Sequence, residues 1–257
     1  MTNTALITGA SSGIGAAFAR YHAAQKGDLI LTARRTDPLN ALKDELEAAH
    51  GISVHVIPLD LGTTGGADSL IEAVDALGLS VSVLINNAGF GGRGAFIDRD
   101  IADEHAMIDL NVKALVTLTH AYGNRMAASG GGKILNVGST AGFMPGPLQA
   151  VYFATKAFVN SFSQAVDHEL RDKGVTVTVL APGYVETEFA ERADLDGTDL
   201  KKSGATAEDV AKHGYDAMLA GKLVTINDPK LGFMLNWLTP LLPRRAVLKM
   251  IEKMQTK

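Results

Sequence analysis

A tyrosine and a lysine four residues apart, Tyr152 and Lys156, have the types and spacing that most directly suggest chemistry in this chain. On a helix, residues i and i+4 lie one turn apart on the same face, so the ammonium can approach the phenol. A cation about 4 Å away contributes roughly 4 kcal/mol at an effective dielectric constant of 20. Since one pKa unit is about 1.36 kcal/mol, the phenol's pKa can fall by up to roughly three units. The pair predicts a general acid and base near neutral pH, or simply a ring packed on a lysine stem.

A glycine-rich segment after the first predicted strand suggests a phosphate-binding turn. Glycines let the backbone approach a pyrophosphate group at the positive N-terminus of the helix that follows. The spacing is Gly-x-x-x-Gly-x-Gly, which differs from the common dinucleotide fingerprint, and a turn that binds nothing is the alternative. The residues predicted to bind the cofactor here are Gly9, Ser11, Ser12, Gly13, Ile14 and Gly15.

Two arginines, Arg34 and Arg35, follow the second predicted strand. An acidic residue at this position would accept hydrogen bonds from the 2′-hydroxyl of NAD and repel a phosphate, and none is present. Arginines can instead hold the 2′-phosphate of NADP through charge-assisted bonds. The sequence therefore favours NADP(H) as cofactor, with NAD(H) as the alternative, over a pair of solvated surface arginines.

Polar residues also follow the third and fourth predicted strands. Asp60 and Leu61 come at the carboxyl end of the third strand, where open α/β sheets bind ligands, and the carboxylate can accept the adenine amino group or cap a turn. The run Asn86-Asn87-Ala88-Gly89 follows the fourth strand. Its amides suit a tight turn, with Asn87, Ala88 and Gly89 forming a wall of the cofactor site as a secondary consequence.

Short apolar runs alternate with longer helical patterns along the chain. Because uninterrupted apolar strands alternate with helices, we expect an α/β doubly wound Rossmann fold, with a seven-stranded parallel sheet and helices on both faces. We expect one domain over residues 1–257, with irregular segments at 186–205 and 228–257. The predicted strands are 4–8, 29–33, 53–58, 81–86, 133–138, 175–181 and 223–226; the helices are 13–25, 38–50, 67–77, 101–128, 149–173 and 207–220.

Composition narrows the function classes. The net charge of −4 gives no basic field for nucleic acid, and without cysteine the chain has neither disulfides nor thiolate chemistry, which suits a reducing compartment. The seven histidines have no metal-ligand spacing, so we expect no bound metal. The first strand begins by Thr4, which leaves no room for a signal peptide, and no apolar run is long enough to span a bilayer. We therefore expect a cytoplasmic protein.

Taken together, these motifs resemble the short-chain dehydrogenase/reductase family in its single-domain form of about 250 residues. The match runs from Thr4 to about Ala220 and keeps the family's motif order. That order is a Thr-Gly-x-x-x-Gly-x-Gly loop, Asn-Asn-Ala-Gly, a mid-chain asparagine, a serine, Tyr-x-x-x-Lys and then Pro-Gly. Each element alone is common, but their joint occurrence is specific.

The resemblance implies a catalytic tetrad of Asn111, Ser139, Tyr152 and Lys156. Ser139 would bind the substrate carbonyl, and Tyr152 would donate the proton in reduction and accept it in oxidation. Lys156 would lower the pKa of Tyr152 and hold the nicotinamide ribose, which Tyr152 also contacts. Asn111 would anchor a water that joins Lys156 to solvent.

The resemblance also implies that residues after the sixth strand contact the nicotinamide. Pro182 and Gly183 would line the ring, and the Thr187 hydroxyl would hold its carboxamide; Val185 is a further residue expected to bind the cofactor. Family members commonly pair through the helices at 101–128 and 149–173, so a homodimer or homotetramer is implied by resemblance.

The C-terminal segment from Lys222 to Lys257 carries seven lysines and arginines against two acidic residues, a balance of +5. After Pro243, Val247, Met250, Ile251 and Met254 form one apolar helical stripe. A lid helix or subunit contact is the favoured interpretation of 228–257. The alternative is a peripheral membrane contact that brings lipid-like ketones to the cleft.

The leading hypothesis is an NADP(H)-dependent oxidoreductase that interconverts a ketone or aldehyde and an alcohol. Phe143, Met144, Tyr184 and Phe189 would make an apolar substrate cleft, although each can equally be ordinary core. The alternatives are a non-catalytic NADP(H)-binding regulatory or scaffold protein of the same fold, and an NAD-preferring alcohol dehydrogenase.

Overall fold

The computed structural model describes residues 3–195, 197–198 and 204–256. Within this part of the chain, seven strands form one wholly parallel sheet in the order β3-β2-β1-β4-β5-β6-β7. The fold class predicted from the sequence is confirmed. The strands are β1 (Thr4–Thr8), β2 (Asp28–Ala33), β3 (Val54–Pro58), β4 (Val83–Asn86), β5 (Gly132–Val137), β6 (Val175–Leu180) and β7 (Val224–Thr225).

Helices cover both faces of the sheet. They are α1 (Gly13–Ala24), α2 (Thr36–His50), α3 (Gly66–Ala76), α4 (Ile101–Ile108), α5 (Leu115–Ala128), α6 (Ala150–Leu170), α7 (Glu188–Arg192), α8 (Ala207–Leu219), α9 (Pro229–Phe233) and α10 (Arg244–Gln255). A π-helical segment, Asp109–Ala114, joins α4 to α5. Another, Met234–Leu238, follows α9, and single 3-10 turns occur at Phe96–Asp98, Thr140–Phe143, Arg171–Lys173 and Thr239–Leu241.

Two apolar layers hold the helices on the sheet. On one face, α1, α2 and α8 bury residues such as Phe18, Leu42 and Tyr215 against the first strands. On the other face, α3 and α5 bury residues such as Leu70 and Tyr122. The central strands β1, β2 and β4 are covered on both faces, and nearly all of their side chains are buried, without the alternation of a half-exposed sheet.

The structure corrects three sequence-based expectations. The helix predicted over 101–128 is interrupted by the π-helical segment, and a π segment inserts a residue without breaking the helical path, so apolar periodicity alone does not reveal it. The segments at 186–205 and after 227, predicted as irregular, contain α7 and α9, whereas α10 agrees with the helical stripe predicted after Pro243. Of the segment 186–205, residues 196 and 199–203 lie outside the described part of the chain.

The strand order reverses between β1 and β4, and this point fixes where a ligand can bind. Neighbouring connections leave β1 and β4 toward opposite sides, which opens a crevice at the carboxyl ends of the strands. Asn87 closes its floor, since its amide donates to the carbonyl oxygens of Thr8 and Gly9 at 3.0 and 3.2 Å.

Helix α6 is anchored to the strand that follows it. The buried carboxylate of Asp167 accepts hydrogen bonds from the guanidinium of Arg171 and, at 2.8 Å, from the backbone N–H of Val177 on β6. The helix that carries Tyr152 and Lys156 is thereby held in register with the sheet. In the part of the chain that is described, no helix combines the length and the apolar character needed to cross a bilayer.

Candidate active site

A cleft of about 650 Å³ runs across the carboxyl ends of the strands. It brings together most of the residues that the sequence singles out. Those that line it are Gly9, Ser11, Ser12, Gly13, Ile14, Arg34, Arg35, Asp60, Leu61, Asn87, Ala88, Gly89, Ser139, Tyr152, Lys156, Pro182, Gly183, Val185 and Thr187. Gly15 and Asn111 are not part of the lining, but each contacts residues that are.

The glycines of the loop after β1 pack closely against neighbouring backbone. The loop is therefore compact, and the space in front of it stays open to a ligand. Gly9 has φ +66°, and a Cβ atom there would lie 2.9 Å from Cα of Ala88. A Cβ atom on Gly15 would collide with the carbonyl oxygen of Gly9. Gly15 therefore lets the first turn of α1 close on the loop, and its role is to shape the turn rather than to touch a ligand.

One end of the cleft carries cations and hydroxyls. Arg35 donates to the hydroxyl of Ser12 at 3.0 Å and to the carboxylate of Glu188 at 2.7 Å, and the Ser12 hydroxyl donates to the same carboxylate at 3.0 Å. Arg34 lies 3.9 Å from Asp60. These groups can bind an anionic ligand, and we refer to this region as the phosphate end of the cleft.

Three of the predicted cofactor residues have structural partners as well. Asp60 accepts a hydrogen bond from the backbone N–H of Gly62 at 2.9 Å, which is the turn role left open by the sequence. Asn87 and Ala88 donate their backbone N–H groups to the hydroxyl of Thr8, each at 3.0 Å. Asn87 thus joins the glycine loop to β4 while its other side faces the cleft.

Tyr152 and Ser139 lie at the other end of the cleft. Ser139 follows β5, is 9% exposed, and its hydroxyl accepts a hydrogen bond from the backbone N–H of Ala141 at 3.1 Å. The ring of Tyr152 packs against Phe189 with centroids 5.5 Å apart. A Cβ atom on Gly91 would lie 3.2 Å from the Tyr152 ring, so the glycine-rich segment 90–94 forms a wall beside the phenol.

Lys156 is buried on the same helix as Tyr152. Its ammonium donates to the carbonyl oxygen of Val137 at 2.8 Å and lies 5.9 Å from the centroid of the Tyr152 ring. A Cβ atom on Gly89 would lie 3.6 Å from this ammonium and 2.9 Å from Oδ1 of Asn111. The loop after β4, the π-helical segment and α6 therefore meet at Gly89.

Asn111 sits in the π-helical segment and organises the loop after β4. Its Oδ1 accepts from the backbone N–H of Phe90 at 3.1 Å, and its Nδ2 donates to the Phe90 carbonyl at 2.9 Å and to the Thr155 hydroxyl at 3.2 Å. These bonds use both ends of the carboxamide. The side chain therefore fixes the wall of the cleft and the helix next to Lys156, in a segment type that often marks functional sites.

The remainder of the cleft is apolar and is covered by the C-terminal segment. Val247 and Ile251 of α10 pack against Ala141 and Phe153, with Met254 beside them. Phe143 lies outside the cleft lining, whereas the other three predicted apolar residues line it. The apolar lining on this side includes Met144, Phe153, Tyr184, Phe189, Leu195, Leu231, Met234, Leu235, Met250, Ile251 and Met254.

Sequence reasoning missed several residues of the cleft. Glu188 is adjacent to Thr187, but nothing in its type indicated a contact with Arg35. Gln149 donates to Gln255 at 2.6 Å, and both side chains are buried in the cleft wall, joining the start of α6 to the end of α10. Because the two glutamines are 106 positions apart, no local pattern could have paired them.

Comparison with known proteins decides the family. Residues 3–196 match the family described as short chain dehydrogenase. The chain belongs to this family. Since its members are oxidoreductases that act on alcohol or carbonyl groups with nicotinamide cofactors, this protein is an oxidoreductase of that class, and the resemblance drawn from the sequence is confirmed.

The relatives span most of the chain. A sulfoacetaldehyde reductase from Chromohalobacter salexigens is 41% identical over 223 residues, covering 84% of this chain and 87% of the relative. A short-chain dehydrogenase from Sphingobium yanoikuyae in complex with NADPH has a TM-score of 0.81 at 31% identity, covering 94% of this chain and 99% of the other. A bulky-bulky ketone specific alcohol dehydrogenase from Comamonas testosteroni has a TM-score of 0.78 at 29% identity, covering 95% and 99%.

The electrostatics of the pair differ from the expectation drawn from spacing. Burial raises the pKa of Tyr152 to about 12, although a hydrogen bond with Ser139 opposes the rise. Burial also lowers the pKa of Lys156 to about 8. The expected lowering of the Tyr152 pKa is wrong for this arrangement, because removal from water opposes charge on both groups and the ammonium is directed to Val137.

The low pKa of Lys156 makes stability depend on pH, which the Lys156→Met variant tests. In the unfolded chain the lysine has its ordinary pKa of 10.5, so between about pH 8 and 10.5 the unfolded state holds a proton that the folded state has lost. The free energy of unfolding of the wild type minus that of the variant should stay constant below about pH 7.5. Above about pH 8 it should rise by up to roughly 1.4 kcal/mol per pH unit, measured by urea unfolding.

The matched control is Lys173→Met, which removes an exposed ammonium after α6. Its difference from the wild type should remain flat from about pH 6.5 to 9.5, since this ammonium stays in water in both states. The raised pKa of Tyr152 contributes only above about pH 10 and does not enter this window. A flat difference for Lys156→Met over the same range would contradict the buried-lysine interpretation.

Proposed function

We propose that this protein uses NADP(H) to reduce an apolar ketone or aldehyde to the alcohol and to catalyse the reverse reaction. The observation that carries the proposal is that Ser139, Tyr152 and Lys156 meet in one cleft with a glycine loop and two arginines. In this proposal residues 1–257 are a single domain, residues 186–205 are its substrate loop and residues 228–257 its lid.

The residues of the cleft fit a phosphorylated dinucleotide. The close packing of Gly9 and Gly15 leaves the start of α1 accessible to a pyrophosphate group, and the relative from Sphingobium yanoikuyae binds NADPH. Arg34 and Arg35 supply the positive charge that a 2′-phosphate requires. The bound cofactor would supply the hydride.

Tyr152 is the proton donor in this mechanism. With a pKa of about 12 the phenol is protonated at neutral pH, so it can give its proton to the oxygen that becomes the alkoxide. The hydroxyl of Ser139 holds the same oxygen and orients the carbonyl. Lys156 stabilises the phenolate left behind, and Asn111 holds the loop and helix on which this alignment depends.

The lining on the lid side supports an apolar substrate. Its residues are aliphatic, aromatic or methionine side chains, and methionines adapt to irregular shapes. The relative from Chromohalobacter salexigens reduces sulfoacetaldehyde, an anion. Among the described residues that line the cleft away from its phosphate end, the cationic side chains are Lys156 and Arg192, so a sulfonate enclosed by the lid would find few partners.

Replacement of Tyr152 by phenylalanine tests the mechanism. The variant keeps the ring and its packing on Phe189 but lacks the proton. We expect turnover of a ketone with NADPH to fall by at least about a hundredfold, the lower range for loss of a general acid. The dissociation constant for NADPH, measured by fluorescence titration, should change by less than about threefold.

Tyr184→Phe is the matched control, since it removes a second phenol from the same cleft. It should retain most of the turnover. Unchanged turnover in Tyr152→Phe would favour the non-catalytic binding protein or a different proton donor.

Alanine substitution of Arg34 and of Arg35, each alone, tests cofactor preference. Loss of a charge-assisted bond to the 2′-phosphate should raise the dissociation constant for NADPH about tenfold or more. The constant for NADH, which lacks that phosphate, should change by less than about threefold. Arg20→Ala, which removes an exposed arginine paired with Glu45 outside the cleft, is the control. Equal effects on the two cofactors would support the NAD-preferring alternative.

A substrate comparison tests the apolar cleft. With NADPH as reductant, kcat/KM for bulky apolar ketones should exceed that for sulfoacetaldehyde by about tenfold or more, because an anion in an apolar enclosure lacks compensating bonds. The absorbance of NADPH follows both reactions. A preference for sulfoacetaldehyde would overturn the substrate assignment while leaving the reaction class intact.

A further inference from the structure

The rim of the cleft carries a group of exposed apolar side chains. We call these residues the rim patch: Phe233, Met234, Trp237, Leu238, Leu241, Leu242 and Met250. Trp237 is 68% exposed and Leu241 is 81% exposed. Single exposed apolar residues are ordinary on protein surfaces, but a contiguous group marks an interaction site.

The rim patch is not the core-facing side of an amphipathic helix. Helix α10 already buries its inner face, with Val247 at 3% and Ile251 at 6% exposure. Apart from Met250 on α10, the patch lies on the preceding segment 233–242, in which Leu235 and Thr239 are buried and the apolar residues of the patch are exposed. The described part of the chain therefore leaves these side chains in contact with water.

Five exposed cations flank the rim patch. They are Lys230, Arg244, Arg245, Lys249 and Lys253. None of them forms an ion pair with a carboxylate in the described residues. The C-terminal segment has a balance of +5, whereas the whole chain has a net charge of −4, so positive charge is concentrated beside the exposed apolar residues.

The rim patch is continuous with the mouth of the cleft. Met234 and Met250 are about 40% exposed and also line the cleft. Leu231 and Leu235, which lie close to Met234 in the sequence, line the interior of the cleft. The apolar lining of the cleft therefore extends onto its rim at these two methionines.

We propose that the rim patch docks this enzyme on an anionic phospholipid surface. Aromatic and aliphatic side chains that enter the headgroup region, together with a ring of lysines and arginines, are the two signals that peripheral attachment requires. Tryptophan is the residue that most favours this interface, since its ring is apolar and its N–H can remain hydrated. The proposal goes beyond the reaction, since the surface can dock whether or not catalysis proceeds as proposed.

A second copy of the chain is a poorer occupant. A symmetric dimer through this surface would place each rim patch, with its own cations, against the same cations of the other copy. Like charges at short range oppose such a contact, whereas anionic lipid neutralises them. Charge complementarity therefore selects the lipid surface.

The chain carries its own probe for the test, because Trp237 is its single tryptophan. The full-length protein is titrated with vesicles of phosphatidylcholine alone and with vesicles that contain phosphatidylserine. With the anionic vesicles we expect a blue shift of the Trp237 emission and quenching by lipids brominated near the headgroup. Raising the salt from about 0.1 M to 0.5 M should weaken binding about tenfold or more, because screening shortens the reach of the cations.

Two variants separate the apolar and the charged parts of the docking surface. Leu241→Glu and the double variant Arg244→Glu/Arg245→Glu should each weaken binding to anionic vesicles about tenfold or more in co-sedimentation. The controls are Ile97→Glu, at a residue 89% exposed outside the patch, and Lys113→Glu/Lys173→Glu, which changes the net charge equally. The controls should change binding by less than about twofold.

Several outcomes would overturn the proposal. One is a folded protein, verified by circular dichroism, whose Trp237 emission does not respond to anionic vesicles at about 0.1 M salt. Another is equal weakening by the control variants. A third is Trp237 emission that is already blue-shifted without vesicles, together with a smaller sedimenting species for Leu241→Glu, which would assign the patch to a subunit contact.

Discussion

The hydrogen bond from the buried ammonium of Lys156 to the carbonyl oxygen of Val137 joins the two elements on which the site depends. Val137 ends β5, and the next residues lead to Ser139, while Lys156 lies on α6 one turn after Tyr152. An ammonium without this acceptor would lie buried and unpaired, which is costly in an interior. The same contact therefore sets the distance between the serine after the strand and the tyrosine on the helix. Asn111 and Asp167 extend the constraint, one toward the loop after β4 and the other toward β6.

At the phosphate end of the cleft, a carboxylate and a bound anion compete for the same hydrogen-bond donors. Arg35 and Ser12 both bind the carboxylate of Glu188, which opens α7 in the loop that also contributes Phe189 to the Tyr152 ring. A phosphate and a carboxylate use the same donors, so an anion that binds Arg35 must share them with Glu188 or replace it. The pKa of Glu188 is lowered mainly by its hydrogen bond with Arg35, so the carboxylate is charged at neutral pH. The carboxylate that competes for Arg35 therefore belongs to the residue next to Phe189, which packs on the ring of Tyr152.

The sequence predicted the fold well because its signals are local and repeated. Apolar runs bounded by glycine or charged residues located all seven strands within one or two residues, and glycine spacing located the turn before α1. The π-helical segment around Asn111 escaped because one extra residue in a turn leaves the apolar pattern almost unchanged. The Gln149–Gln255 contact escaped because it joins parts of the chain that only the folded sheet brings together. The features that the sequence did not predict are those that tertiary packing determines.

The ionisation of Tyr152 is the clearest property that the spacing of Tyr152 and Lys156 in the sequence did not predict. Four residues of helix specify that a phenol and an ammonium are neighbours, and Coulomb's law then predicts an acidic phenol. The structure adds the removal of both groups from water, which opposes the phenolate and the ammonium alike and is the largest cause of both pKa shifts. Burial is a collective property of β5, α6, the segment 90–94 and α10, and no pair of positions encodes it. The enclosure that raises the pKa of Tyr152 keeps the phenol protonated at neutral pH, so the proton that reduction requires is present, while the same shift makes the phenol a weaker acid.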